Sequence, residues 1–132
     1  MYTMKQVCDQ LGMTYETLRF YCDESLIPNI KRDKNNYRNF DERNIAWIEG
    51  LQCLRKCGMS IKDMKQYMQY CLEGPSSILD RKEMLDDQKR ILQSKMVEIQ
   101  ESIDFIDKKQ MYFDNVLSGD IEYSSNIIDY KA

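Results

Sequence analysis

Apolar residues along this chain fall into four short helical patterns followed by one long one. In the first, Val7 and Leu11 lie four apart, with Thr3 placed to cap the segment and Gly12 to end it. A second helix is expected from Tyr15, capped by Thr14, turning Leu18 and the Tyr21/Cys22 pair inward and Tyr15, Glu16 and Arg19 outward. Two short helices around a glycine-containing turn outline a helix-turn-helix. Pro28 disfavours helix at the residue before it, so the pattern stops after Leu26-Ile27. Residues 30–32 and 37–40 read as paired strands around Asp33-Lys34-Asn35-Asn36, whose asparagines tolerate left-handed backbone angles. This predicts a small basic hairpin, or wing.

Asp41 is a good N-cap for a third helix running to about Cys57 and ending at Gly58. Ile45, Trp47, Ile48, Leu51 and Leu54 form its broad apolar face, and Ala46, Gly50, Cys53 and Cys57 a separate stripe of small residues that would let another helix approach closely. Ser60, with Asp63 three residues on, opens a fourth helix whose Ile61, Met64, Met68, Cys71 and Leu72 share a face. Gly74-Pro75-Ser76-Ser77 is the clearest break, and Ser77 is positioned to cap a fifth helix. From there to Leu117 there is neither Gly nor Pro, while Leu85, Leu92, Ile99, Ile106 and Phe113 recur every seven residues. Met96, Ile103 and Leu117 fill the seam between them, interrupted by Lys89 and Gln110. A seam of that length cannot be buried against a small head, so a partner helix is expected. The predicted organisation is a head at 1–73, a linker at 74–77, a dimerisation helix at 78–118 and a short tail at 119–132.

Composition narrows the function. The chain contains no histidine, which removes the commonest general base and metal ligand and every Ser-His or Cys-His pair, so an enzyme is not expected. Cofactors are expected to be none. Its five cysteines make an odd set with no secretory signal before them, and no stretch approaches a membrane span; reduced thiols and a cytoplasmic protein are expected. The net charge of −3 speaks weakly against nucleic acid, yet it hides a gradient. Residues 1–73 carry 11 basic and 10 acidic side chains, residues 74–132 carry 8 and 12, and residues 31–43 alone hold five basic against three acidic. Positive charge is concentrated on the wing.

Four segments then carry a specific resemblance: Thr14-Tyr15-Glu16-Thr17-Leu18-Arg19-Phe20-Tyr21, Leu26-Ile27-Pro28, Asn36-Tyr37-Arg38 and Cys57-Gly58-Met59-Ser60-Ile61. In order and spacing they resemble the head of the MerR family of bacterial regulators, and the long helix resembles that family's dimerisation helix. Three positions depart from the pattern: Phe20 where a second tyrosine is usual, Cys22 where an acid is usual, and Asn36 where the wing turn usually has glycine. The resemblance implies an all-α fold with a small β-wing, a winged helix-turn-helix head, and a homodimer joined by antiparallel long helices. It implies that the second helix enters the major groove of promoter DNA while the wing grips the flanking backbone. Thr14, Tyr15, Thr17, Arg19 and Tyr21 are the candidate contacts from the helix, and Lys31, Arg32, Tyr37 and Arg38 those from the wing. It further implies an inverted-repeat operator that is untwisted so that RNA polymerase engages both promoter elements.

Metal-sensing members of the family use cysteines at the start of the long helix and in a loop after it, whereas this chain has no cysteine beyond Cys71. The segment Trp47-Ile48-Glu49-Gly50-Leu51-Gln52-Cys53-Leu54-Arg55 is similar to that of members responding to thiol-reactive electrophiles, which makes Cys53 a candidate sensor. Simple packing of the small-residue stripe is the competing account of the same cysteine. A drug-like ligand near Met111, Tyr112, Phe113 and the tail, and a coiled-coil protein that binds no DNA, are the alternatives.

Overall fold

The computed structural model describes residues 1–130. Its elements run α1 (Met4–Leu11), α2 (Tyr15–Asp23), β1 (Lys31–Arg32), β2 (Arg38–Asn39), α3 (Glu42–Lys56), α4 (Ile61–Glu73), a single 3-10 turn (Pro75–Ser77) and α5 (Ile78–Ser118). The chain divides into two compact units, Met1–Lys89 and a second beginning at Arg90.

In the first unit the caps follow the side chains. Thr3 accepts from the Gln6 amide in a reciprocal capping box, Thr14 from Thr17, Asp41 from Asn44 in a second box, and Ser60 from Asp63. Between α1 and α2, Gly12 sits at φ 63° with open space where a Cβ would go, so backbone conformation alone calls for glycine there. The wing pairs antiparallel with Lys31 opposite Asn39 and Arg32 opposite Arg38. Asp33 organises its turn by accepting from the Asn35 and Tyr37 amides, and Asn36 takes the left-handed conformation at φ 65°. One pairing lies outside the sequence expectation: Tyr2 and Phe40 exchange backbone hydrogen bonds of 2.7 and 2.8 Å, attaching the strand side of the wing to the start of the chain.

The core gathers Val7, Leu18, Tyr21, Leu26, Phe40, Ile45, Ile48, Leu51, Met59 and Met64 from the four helices of the head and the segments between them. Each large apolar side chain so buried contributes roughly 1.5–3 kcal/mol relative to exposure. Polar ties fix the irregular segment between α2 and the wing, where Trp47 Nε1 donates to the Leu26 carbonyl at 2.8 Å and Asn44 Nδ2 to that of Pro28 at 3.2 Å. Across the head, Gln52 Nε2 donates to the Leu11 carbonyl, and Lys65 pairs with Glu24 at 2.7 Å.

The entry into α5 differs from the expected Ser77 cap. Ser77 is fully buried and directs its hydroxyl at the carbonyls of Tyr70 and Gly74, while Arg81 Nε donates to the same oxygen at 3.2 Å. The reason is the preceding helix: α4 ends at Gly74, leaving carbonyls that need donors, and they recruit both Ser77 and the Arg81 guanidinium. Further along, Gln88 is buried and donates to the Cys57 carbonyl at 2.6 Å.

In the second unit α5 continues to Ser118 and stops at Gly119, φ 85°. With Leu92, Ile99, Ile106 and Phe113 assigned to heptad position d, position a holds Met96, Ile103, Gln110 and Leu117. The apolar members of this seam are all exposed, Leu117 at 86%. The tail packs elsewhere, since Tyr112 (position c), Asn115 (f) and Val116 (g) are the residues of the last turns that lose exposure. Three hydrogen bonds to Ser124 anchor it at the Tyr112 hydroxyl, and Tyr123 meets Tyr130 edge to face with centroids 4.8 Å apart.

Candidate nucleic-acid interface

The start of α2 presents Thr14, Tyr15, Thr17 and Arg19 to solvent, as its periodicity requires when Leu18 and Tyr21 face the core. Two of these hydroxyls are already engaged: Thr14 Oγ1 caps the helix, and lies 2.8 Å from Thr17 Oγ1. Tyr15 is freely exposed. On the wing, Lys31, Arg32 and Tyr37 are exposed, with Tyr37 at 70% the most prominent aromatic of the head. The Arg32 guanidinium reaches over the turn to donate to the Asn36 carbonyl at 2.9 Å, which stiffens the hairpin.

Helix and wing converge on one carboxylate. Asp23 lies 3.3 Å from Arg38 Nη2 and 3.7 Å from Arg19 Nε, so both guanidinium groups are held around the C-terminal end of α2. Arg19 keeps 62% of its side chain exposed and Arg38 keeps 22%. Each retains donors beyond those used on Asp23, because a guanidinium carries five N–H groups. Sequence reasoning misses Asp23, although its i,i+4 spacing from Arg19 is a readable signal.

Tyr21 stands apart from the other candidates. It is 3% exposed and belongs to the core, as its inward helical position requires, and burial raises its phenol pKa while Arg55 opposes that shift. It lines a shallow groove with Glu16, Thr17, Phe20 and Arg55. Phe20 is the half-exposed aromatic of that face. Beneath the wing Cys22 is partly buried, and desolvation raises its thiol pKa against the lowering influence of Arg38.

Cys53 does not occupy the close-packed position expected of it. It is exposed, as are Ala46 and Gly50, and a Cβ built at Gly50 meets nothing within 4 Å. α3 spends its apolar face, Ile45, Ile48 and Leu51, on the core, which turns the small-residue stripe outward. Of the stripe, only Cys57 at its end is half-buried among the described residues, its carbonyl accepting from Gln88 of α5.

A profile of the MerR HTH family of regulatory proteins matches residues 2–71. An uncharacterized HTH-type transcriptional regulator of Haemophilus influenzae is 30% identical over 112 residues, covering 85% of this chain and 83% of its own length. The HTH-type transcriptional regulator AdhR of Bacillus subtilis is 39% identical over 87 residues, 66% of this chain and 62% of AdhR. Among solved structures, HiNmlR, a MerR family regulator lacking the sensor domain and bound to promoter DNA, superposes with a TM-score of 0.71 at 29% identity, covering 89% of this chain and 93% of that one. A MerR family transcriptional regulator from Bacillus thuringiensis gives 0.70 at 27% identity over 84% of this chain and 97% of its own. These relatives are transcriptional regulators, not enzymes, and among the described residues no helix is long and apolar enough to cross a membrane. The winged helix-turn-helix head, the long helix and the family match together make this chain a DNA-binding transcriptional regulator belonging to the MerR family.

Proposed function

We propose that this regulator works as a homodimer on promoter DNA, reading an inverted repeat with two copies of α2 and gripping the flanking phosphates with two wings. The observation that carries this reading is the meeting of Arg19 from the helix and Arg38 from the wing at Asp23, beside the exposed Tyr15, Thr17, Lys31, Arg32 and Tyr37. Arginine and lysine bind phosphate through charge-assisted hydrogen bonds, and hydroxyls at a helix start reach phosphates or base edges. HiNmlR, similar over most of its length, is bound to promoter DNA. The dimer is supported by the bare seam from Leu92 to Leu117, which antiparallel pairing of two long helices would bury. Two heads fixed to one coil can bend or untwist the operator, at a deformation cost of roughly 1–10 kcal/mol drawn from many phosphate contacts, and so bring both promoter elements to RNA polymerase.

The test is Arg38→Ala in a mobility-shift titration across salt concentrations. Binding should weaken on operator and non-operator DNA alike, and the slope of log K against log salt should fall by about one per lost phosphate contact in each head. A loss of preference at a single base pair instead would make the wing a reader of sequence.

The inducing signal we propose is a thiol-reactive electrophile acting at Cys53. Its exposure leaves the thiol open to attack, and AdhR is similar over the segment that includes it. An adduct is tolerated by the single chain, so the trigger requires the partner subunit to cover the stripe; overpacking there costs roughly 1–3 kcal/mol, enough to tilt a balanced dimer. Cys53→Ser should keep operator binding and lose induction by aldehydes or quinones, while Cys8→Ser and Cys22→Ser respond normally. Full induction of the Cys53→Ser protein would remove the thiol from the mechanism.

A further inference from the structure

The seam accounts for the apolar residues at positions a and d of α5, but not for those on the opposite side of that helix. Phe105 falls at position c, where a solvent-facing polar residue is the rule, and is 62% exposed. Lys109 sits over its ring with Nζ 5.7 Å from the centroid. Two turns further on is Tyr112, also at c, whose hydroxyl holds the returning tail through Ser124: it accepts from the Ser124 amide at 2.8 Å and contacts both the carbonyl and the side chain of that residue. The tail so anchored closes a groove of about 380 Å³ lined by Phe105, Lys108, Lys109, Tyr112, Ser124 and Asn126.

Three features define the kind of ligand this groove accepts. Its volume falls within the range of small-molecule sites, about 300–1,000 Å³, and suits one or two fused rings. The rings of Phe105 and Tyr112 offer flat apolar contact, to which an aromatic ligand packs edge-on or offset. Lys108 and Lys109 contribute two cations to its lining, and among the described residues neither forms an ion pair. The hydrogen bonds with Ser124 lower the Tyr112 phenol pKa, with a smaller contribution from the positive charge of Lys109.

We propose that this groove is a binding site for a planar aromatic carboxylate, its ring set against Phe105 and Tyr112 and its carboxylate paired with Lys108 and Lys109. Lys108 lies at f, the position farthest from the seam, and Phe105 and Tyr112 at c, so pairing of the long helices leaves that side of the groove open, with Lys109 at g on its seam edge. The site gives this DNA-binding regulator a second input besides the Cys53 thiol, and it rests on the regulator reading only for its purpose.

The experiment titrates the full chain, without DNA, with 2-naphthoate and with neutral 2-naphthamide by calorimetry. Naphthoate should bind saturably at one site per chain, at least tenfold more tightly than the amide. Phe105→Ala and Lys108→Glu should each weaken naphthoate binding tenfold or more while operator shifts by the same proteins stay intact, since neither residue belongs to the head or to the a and d positions of the seam. Absence of saturation at millimolar naphthoate, equal affinity for the amide, or full binding by Lys108→Glu would each overturn the assignment. None of these outcomes depends on DNA, so failure of this site and failure of the regulator reading remain distinguishable.

Discussion

Asp23 holds two arginines that a DNA phosphate also attracts. Its pair with Arg19 is open to solvent on both sides, and such pairs contribute roughly 0.2–1 kcal/mol, so little orienting energy is at stake. The carboxylate also places negative charge on the face proposed to meet phosphate. Removing that charge therefore outweighs loosening the arginines. Asp23→Asn should bind non-operator DNA more tightly and with a steeper salt dependence, with folding stability changed by less than ~1 kcal/mol. Weaker binding in the same titration would mean that the carboxylate orients the arginines. At this scale the sequence is informative about individual exposed side chains and less so about their partners. Tyr15, Arg19, Lys31, Arg32 and Tyr37 lie on the surface as periodicity and hairpin position require. Tyr21 is both an inward position and a candidate contact, and the core takes it.

Elements whose ends are set by neighbouring residues can be read directly. Thr3, Thr14, Asp41 and Ser60 each cap a helix three residues or fewer from the amide they accept, and that spacing is visible in the chain. The bridge between Tyr2 and Phe40 is not legible, because it joins residues far apart in sequence and a single bridge leaves no period. Ser77 misleads for a related reason: its position matches a cap, but carbonyls from the end of α4 compete for the same hydroxyl. Ser77→Ala should show how much that hydroxyl contributes. It would leave half-buried carbonyls at Tyr70 and Gly74 short of a donor, although Arg81 Nη2 still reaches Gly74 at 2.7 Å. The expected loss is about 1–3 kcal/mol in urea unfolding. A change below ~0.5 kcal/mol, the usual scale for surface substitutions, would show that Arg81 suffices.

For the whole molecule, the unburied seam is the dominant fact. Length and heptad period announce it in the sequence; the small-residue stripe of α3 is legible as a pattern but not as a direction, because a period does not say which of two faces the core will take. Replacing Leu92 and Ile99 with Asp puts charge at two adjacent d positions, where pairing would desolvate it. Sedimentation should then find a monomer that no longer shifts operator DNA, and an unchanged dimer mass would refute the pairing. The same seam has a consequence for how such a regulator behaves at low copy number. If only the paired form grips the promoter, operator occupancy at concentrations below the pairing constant rises with the square of the amount of protein, and thermal stability of the paired region rises with concentration by mass action. Halving synthesis would then cut promoter occupancy about fourfold in that regime. The gene's output would thus be set by how much regulator the cell makes before any inducer arrives.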